Sequence, residues 1–394
     1  MKVKEATKGL KMRKHYLSLM CLTAASVALA SPIGDAMKSW RNAEDLPGLL
    51  SAVHDGKKTH VDLFGYAELE DHRRMAKDNL FWIASNGKAI ACALVLTYVQ
   101  EGRIGLDDPV EKYLPEWRDI KVRRDGKEPE ELKSKPTVRQ LMGHRSGLRF
   151  FPEMPISQFP MRLLAHKALA YGLCAQPGEK FEYSNWGIDT AVAICEVVDG
   201  QSWDVLLKRR VLDPLGMKDT MFFPDREELK RLAVCYHNEK NAAPRPLPVT
   251  QLREPYDKPP VFAEAGGGLF STADDMMRFY RMLANRGVAV DGKRFLSEQL
   301  MDEWYGVSEF YKTHPEMANY TFGTSTEPAK GIIGHGGAYQ TTAFANWKRG
   351  AVRLYFVQQS GGNERVTRRL EDWNRVTAPY FDSDKVDVVG TQQR

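Results

Sequence analysis

The feature that most restricts this chain is a run of ten residues, Ile90–Val99 (IACALVLTYV), that carries no charge. A helix that is apolar on every face cannot lie on a surface, so it must run through the middle of a core. The run is also too short to cross a bilayer, which takes about 20 residues. The pattern predicts a helix from Ser85 to Gln100, stopped by Glu101-Gly102. A chain of 394 residues has ample material to bury such an element, as one large domain or two closely joined ones.

Around that helix the elements are unevenly distributed. His60–Leu69 (HVDLFGYAEL) reads as a strand, and Thr342–Trp347 and Val352–Gln359 flank a hairpin turn at Lys348-Arg349-Gly350. Between these ends, helices are expected to begin at the N-cap Thr137, over Gly187–Val198 and Trp203–Val211, and after Ser271. Ser271 reads as a cap, with Asp274 and Asp275 meeting the positive helix end. Arg118–Lys135 is almost all charged and reads as a solvated loop; Ala242–Pro260 holds six prolines and reads as a long irregular one. The expectation is an α/β body built from residues 31–104 and 262–380, a mostly helical insert at 105–261, and a tail at 381–394.

Net charge is +5, which would ordinarily raise nucleic acid as a partner. Residues 1–30, however, carry six of the 56 basic side chains and one of the 51 acidic ones, so the remainder is balanced. A basic lead-in to Lys14, an apolar run from Tyr16, and Ala28-Leu29-Ala30 before Ser31 form a signal-peptide pattern, with Met12 the tidier start. An exported protein, periplasmic or secreted, is expected, without stable membrane insertion and without a nucleic-acid partner. Cys92, Cys174, Cys195 and Cys235 remain after cleavage, and Cys92 and Cys195 sit in apolar helical patterns where free buried thiols are the commoner outcome. There is no Cys-x-x-Cys, no His-Glu-x-x-His and no Gly-x-Gly-x-x-Gly, so neither a metal nor any other cofactor is expected.

The only Ser-x-x-Lys of the chain, Ser85-Asn86-Gly87-Lys88, opens the buried helix. That spacing puts both side chains on one face, where an ammonium against apolar surroundings can lose its proton and serve the hydroxyl. Tyr183-Ser184-Asn185 follows before another apolar helix, and His335-Gly336-Gly337 precedes the terminal strands. Two decoys, Tyr236-His237-Asn238 and Lys348-Arg349-Gly350, fall in a proline-rich region and on the hairpin turn.

Taken in order, Ser-x-x-Lys, Tyr-x-Asn and His-x-Gly resemble the motifs of the class C β-lactamase, D-Ala-D-Ala peptidase and serine-esterase superfamily. The segments FWIAS, GRIGLDDPVEKYLPEW, TVRQLMGHRSGL, QPGEKFEYSN, VLDPLGMKDT, AGGGLFSTADDM and GHGGAYQT resemble it too, from about residue 60 to 360. The resemblance implies a β-lactamase/transpeptidase-like fold, with an antiparallel sheet flanked by helices. It implies Ser85 as nucleophile, and Lys88 and Tyr183 sharing the proton work, with the acylation base left open between them. Lys88 is then the expected source of a lowered Tyr183 pKa. Asn185 would bind the acyl-side carbonyl or orient Lys88, and the N–H groups of Ser85 and Ala338 would form an oxyanion hole.

His335 stands where the β-lactamase branch usually carries Lys, and Gly336 supplies no hydroxyl. A histidine is only partly charged near neutrality, so a small-molecule or short-peptide substrate that is a neutral ester or amide is expected to suit the site better than an anionic β-lactam. Gly336 and Gly337 would leave room beside a bulky acyl group. Phe150, Phe151, Trp186 and Tyr339 are candidate pocket residues, and His144 reads as a structural histidine at a helix end. The alternatives are a β-lactamase or D-Ala-D-Ala carboxypeptidase, and a non-catalytic binder of cell-wall peptides on the same fold. The oligomeric state is not legible.

Overall fold

The computed structural model describes residues 31–37, 46–150, 161–238, 244–249, 263–360 and 364–382. The predicted signal peptide, most of the predicted tail and Phe151 lie outside them. A short helix α1 (Pro32–Ala36) precedes strands β1 (Gly48–His54), β2 (Thr59–Glu68), β3 (Arg73–Arg74) and β4 (Leu80–Trp82). Helices α2 (Gly87–Gln100), α3 (Val138–Met142), α4 (Met161–Tyr171), α5 (Asn185–Asp199) and α6 (Trp203–Leu207) follow. Then come β5 (Phe270–Thr272), α7 (Ala273–Ala284), β6 (Ser325–Glu327), β7 (Ile332–Gly336), β8 (Thr341–Asn346), β9 (Ala351–Phe356) and α8 (Glu364–Phe381).

The main sheet has seven strands in the order β3-β2-β1-β9-β8-β7-β6, each antiparallel to its neighbour. Its centre is the β1–β9 pair, so the first and last of this sheet's strands in chain order close it together. Strand periodicity then divides β1 between two layers. Leu49 and Val53 join Tyr355 and Trp373 under α8, whereas Leu50 and Ala52 enter the larger core. The Trp373 indole donates to Ser51 Oγ at 2.9 Å and pins α8 to the sheet.

Helix α2 is the axis of that larger core. Every residue from Gly87 to Tyr98 is buried, as a helix without a polar face requires. It packs on α5, and the cluster around it runs from Leu50 to Phe356. Thr137 caps α3 as expected, in a reciprocal box: its hydroxyl accepts from Gln140 N–H, and the Gln140 side chain accepts from Thr137 N–H. The four cysteines of the described residues are free thiols.

Two local expectations are corrected. The cap of α7 is Thr272, whose hydroxyl accepts from Asp275 N–H, because Ser271 is still in strand β5 and shares a hydrogen bond with Thr220. Asp275 is buried at the start of α7, where burial pushes its carboxyl up while it accepts from Thr220 and from Asp219 N–H. Within Ala242–Pro260, described only over 244–249, Arg245–Pro246 pairs with Tyr236–His237 instead of remaining irregular. That pairing commits the decoy Tyr236, whose hydroxyl donates to Glu70. Replacing Thr137 by Ala removes one half of the capping box and should lower stability by about 1 kcal/mol in urea unfolding. No change would show that the box adds nothing to α3.

Candidate active site

The Ser85 turn is held from both sides. Ile83 N–H donates to Leu269 O at 3.0 Å, and Ala84 takes a left-handed φ of 45°. That conformation costs a side-chain-bearing residue on the order of 1 kcal/mol or more and persists only where the surroundings enforce it. Here the surroundings include Asn86, whose amide donates to Thr341 O and whose carbonyl accepts from Tyr280 Oη at 2.8 Å. Ser85 therefore sits in a fixed one-turn helix (Ala84–Asn86) that feeds α2.

Lys88, one turn on, has no solvent exposure. Its Nζ donates to Ser85 Oγ at 2.9 Å and to Gly266 O at 2.5 Å, and lies 4.7 Å from the centre of the Tyr183 ring. Burial brings its pKa down to about 7, against an opposing pull from Glu264 and Asp189. A group so placed is half amine at neutral pH. With one N–H held by Gly266 O, the amine lone pair is left for Ser85.

Tyr183 departs from expectation. Its pKa is raised to about 12, chiefly by burial; a hydrogen bond with Ser85 works the other way, and Glu264 raises it further. The phenol is thus protonated at neutral pH rather than primed as a base, because its own burial outweighs what lowers it.

His335 lies on β7 and is neutral rather than partly charged. Burial, then repulsion by Lys88, lowers its pKa to about 3. Its Nδ1 is 2.6 Å from Gly336 O, an acceptor only, so Nδ1 carries the hydrogen. Nε2 then faces Tyr183 Oη at 3.5 Å as an acceptor.

The other predicted residues divide. Asn185 is buried, and its amide donates to Glu264 Oε1 at 2.7 Å rather than to Lys88 or an open pocket. Gly337 is corrected: a Cβ there would stand 2.0 Å from Thr341 Oγ1 and 2.4 Å from Ile83 O, so the missing side chain is filled by protein, not by an acyl group. It brings the exposed Ala338 to the Ser85 turn. Gly336 is the open one: a Cβ there would meet nothing nearer than Thr342 Oγ1 at 3.8 Å. Trp186 is corrected too: it is fully buried, donates to Leu164 O and belongs to the core. Phe150 is half exposed and stacks on Tyr183 with ring centres 5.9 Å apart. Tyr339 packs on Trp82 at 4.7 Å.

Glu264, Asp189 and Tyr320 were not read from the sequence as parts of the site, and His144 was read only as structural. Glu264 and Asp189 are buried beneath Lys88, and Asp189 Oδ1 accepts from Ala265 and Gly266 N–H at 2.9 and 3.2 Å. The available signal was an acid on the apolar face of α5 and another directly before AGGGL. His144, at φ 57°, accepts at Nδ1 from Ser184 N–H and therefore presents Nε2–H to Tyr320 Oη at 3.1 Å. Its ring lies 4.6 Å from that of Tyr183, so a histidine read only as structural holds the Tyr183 segment in place.

The chain belongs to the beta-lactamase family, whose model matches residues 33–376 and whose members are serine hydrolases such as esterases, amidases and peptidases. It is 30% identical over 354 residues to Protein Rv1367c of Mycobacterium tuberculosis, covering 79% of this chain and 86% of that one. Esterase EstB of Burkholderia gladioli is 30% identical over 267 residues, 60% of this chain and 64% of its own. In fold it is similar to EstCE1, a hydrolase with promiscuous acyltransferase activity, at a TM-score of 0.68 and 20% identity over 88% of this chain and 98% of that one. These likenesses agree with the antiparallel sheet flanked by helices.

Among the described residues no group of His, Cys, Asp and Glu is arranged to hold a metal ion, and no helix is long and apolar enough to cross a membrane. Replacing Gly337 by Ala should push Ile83 and the Ser85 turn out of register and cost about 10² in kcat, read in steady-state ester hydrolysis. Wild-type kcat would contradict the close fit.

Proposed function

We propose that the protein hydrolyses neutral esters or amides through an acyl-enzyme on Ser85, with Lys88 as the acylation base. The observation that carries this is the buried Lys88 Nζ, 2.9 Å from Ser85 Oγ, with its pKa brought to about 7. The neutral amine takes the Ser85 proton as Oγ attacks the carbonyl carbon. The N–H groups of Ser85 and Ala338 receive the oxyanion charge. Tyr183, a protonated phenol, gives its hydrogen to the departing alcohol or amine, and Lys88 ammonium restores it. Water then enters by the reverse route and releases the acid.

A neutral His335 supports the preference for uncharged substrates. Its Nε2 accepts from Tyr183, and a neutral ring offers no cation to a substrate carboxylate. p-Nitrophenyl acetate should be turned over with a higher kcat/KM than a chromogenic cephalosporin, and Ser85→Ala should abolish both. Efficient cephalosporin turnover without ester activity would overturn this preference. Because the base must be neutral, kcat/KM should fall about tenfold per pH unit below about 7. A flat profile down to pH 5 would remove Lys88 from that role.

Export, to the periplasm or medium, is proposed on the signal pattern of residues 1–30. Intact mass of the secreted form should begin at Ser31, which caps α1 and donates to Asp62 at 2.6 Å; retention of the first 30 residues would contradict cleavage.

A further inference from the structure

We propose that Asp189 and Glu264 are positioning residues for Lys88, a buried carboxyl pair that holds the Gly-rich turn against it and supplies the negative field that lets it titrate. This rests on the reading of Lys88 as the base for Ser85.

Lys88 Nζ is directed by two acceptors, Ser85 Oγ and Gly266 O. Gly266 O can do this only if its peptide is held, and the holder is Asp189, whose Oδ1 takes both Ala265 N–H and Gly266 N–H. Glu264 completes the turn. Its backbone carbonyl accepts from Gly268 N–H, and its side chain accepts from Asn185, one turn before Asp189 on α5. A Cβ on Gly266 would stand 2.7 Å from that of Asn185, so α5 and the turn are in direct backbone contact. The segment AGGGL thus acts as a clamp between α5 and α2, and its two anchors are carboxyls.

Lys88 is surrounded by titratable groups from several elements. Facing it are Cys92 on its own helix, Tyr183 and Asp189 from α5 and the turn before it, Glu264, His335 from β7 and His144 from the loop after α3. Burial holds the Cys92 thiol and the Tyr183 phenol in their protonated, neutral forms, and both imidazoles are neutral. The two carboxyls are then the groups left, among the described residues, that oppose the desolvation of the ammonium. They also act on each other: burial, and next the charge of Glu264, push the Asp189 carboxyl well above the usual range. Asp189 Oδ2 is buried without a hydrogen-bond partner, so no donor there stabilises the charged form. The pair therefore offers one negative charge rather than two, enough to keep Lys88 from being fixed as an amine.

The double variant Asp189→Asn/Glu264→Gln removes both ionisable groups while keeping both shapes and the acceptors of the clamp. Removing the charge makes the ammonium harder to form, so the amine persists to lower pH. The acid limb of Ser85 labelling by a fluorophosphonate, followed by intact mass, should move down by about one pH unit or more relative to wild type. Asp189→Ala, which frees the Gly266 peptide, should slow labelling at pH 8 at least tenfold, with a melting curve that shows the variant is folded. A limb that stays in place or moves up in a folded double variant overturns the electrostatic role. Wild-type labelling by folded Asp189→Ala overturns the positional one. Absence of a Ser85 adduct in the wild type overturns the base reading itself, and the positioning role with it, whatever the variants do.

Discussion

The structure depends on the burial of one ammonium group. Lys88 sits inside a helix without a solvent-facing side, where a charge is costly to hold. Every polar group near it answers to that constraint. Gly266 O and Ser85 Oγ receive its hydrogens, the Tyr183 ring lies over it, and Asp189 and Glu264 lie below. What such a lysine costs in stability it returns as a fraction of neutral amine able to accept a proton at neutral pH. The same burial keeps Tyr183 protonated and His335 neutral, so one cause sets the protonation state of three groups.

The sheet serves this centre by bringing distant segments to one place. The β1–β9 pair joins the two ends of the chain, and β7 and β8 then carry His335 and Gly337 to the Ser85 turn. Among the described residues, three of the six positive-φ residues other than glycine, Ala84, His144 and Gln340, fall at the three segments that meet there. Strain concentrated at such a junction fits a site whose geometry is imposed by its surroundings rather than by local preference.

Much of the site was legible because its chemistry is local. Ser85 and Lys88 are one helical turn apart, and the apolar run after them states that the turn is buried. Misreadings arose where contact, not sequence neighbourhood, decides. Trp186 adjoins Asn185 in sequence, but successive helix residues point about 100° apart, so one meets Glu264 and the other the core. Gly337 looked like space for a substrate and is instead space for Thr341 and Ile83. The Ser271 cap was misplaced by one residue because β5 runs straight into α7. The neutral state of His335 and the presence of Glu264 and Asp189 at the site depend on packing between segments far apart in the chain, which no local pattern encodes.

The central claim is that Lys88 exchanges its proton near neutrality. It is tested most directly by nitrogen-15 NMR of protein labelled at the lysine Nζ atoms, titrated from pH 5 to 11. One resonance should titrate near pH 7, apart from the exposed lysines near 10.4, and it should be missing in Lys88→Arg. If every lysine titrates above pH 9, Lys88 is a fixed ammonium, and the account of the site as a base-activated serine fails.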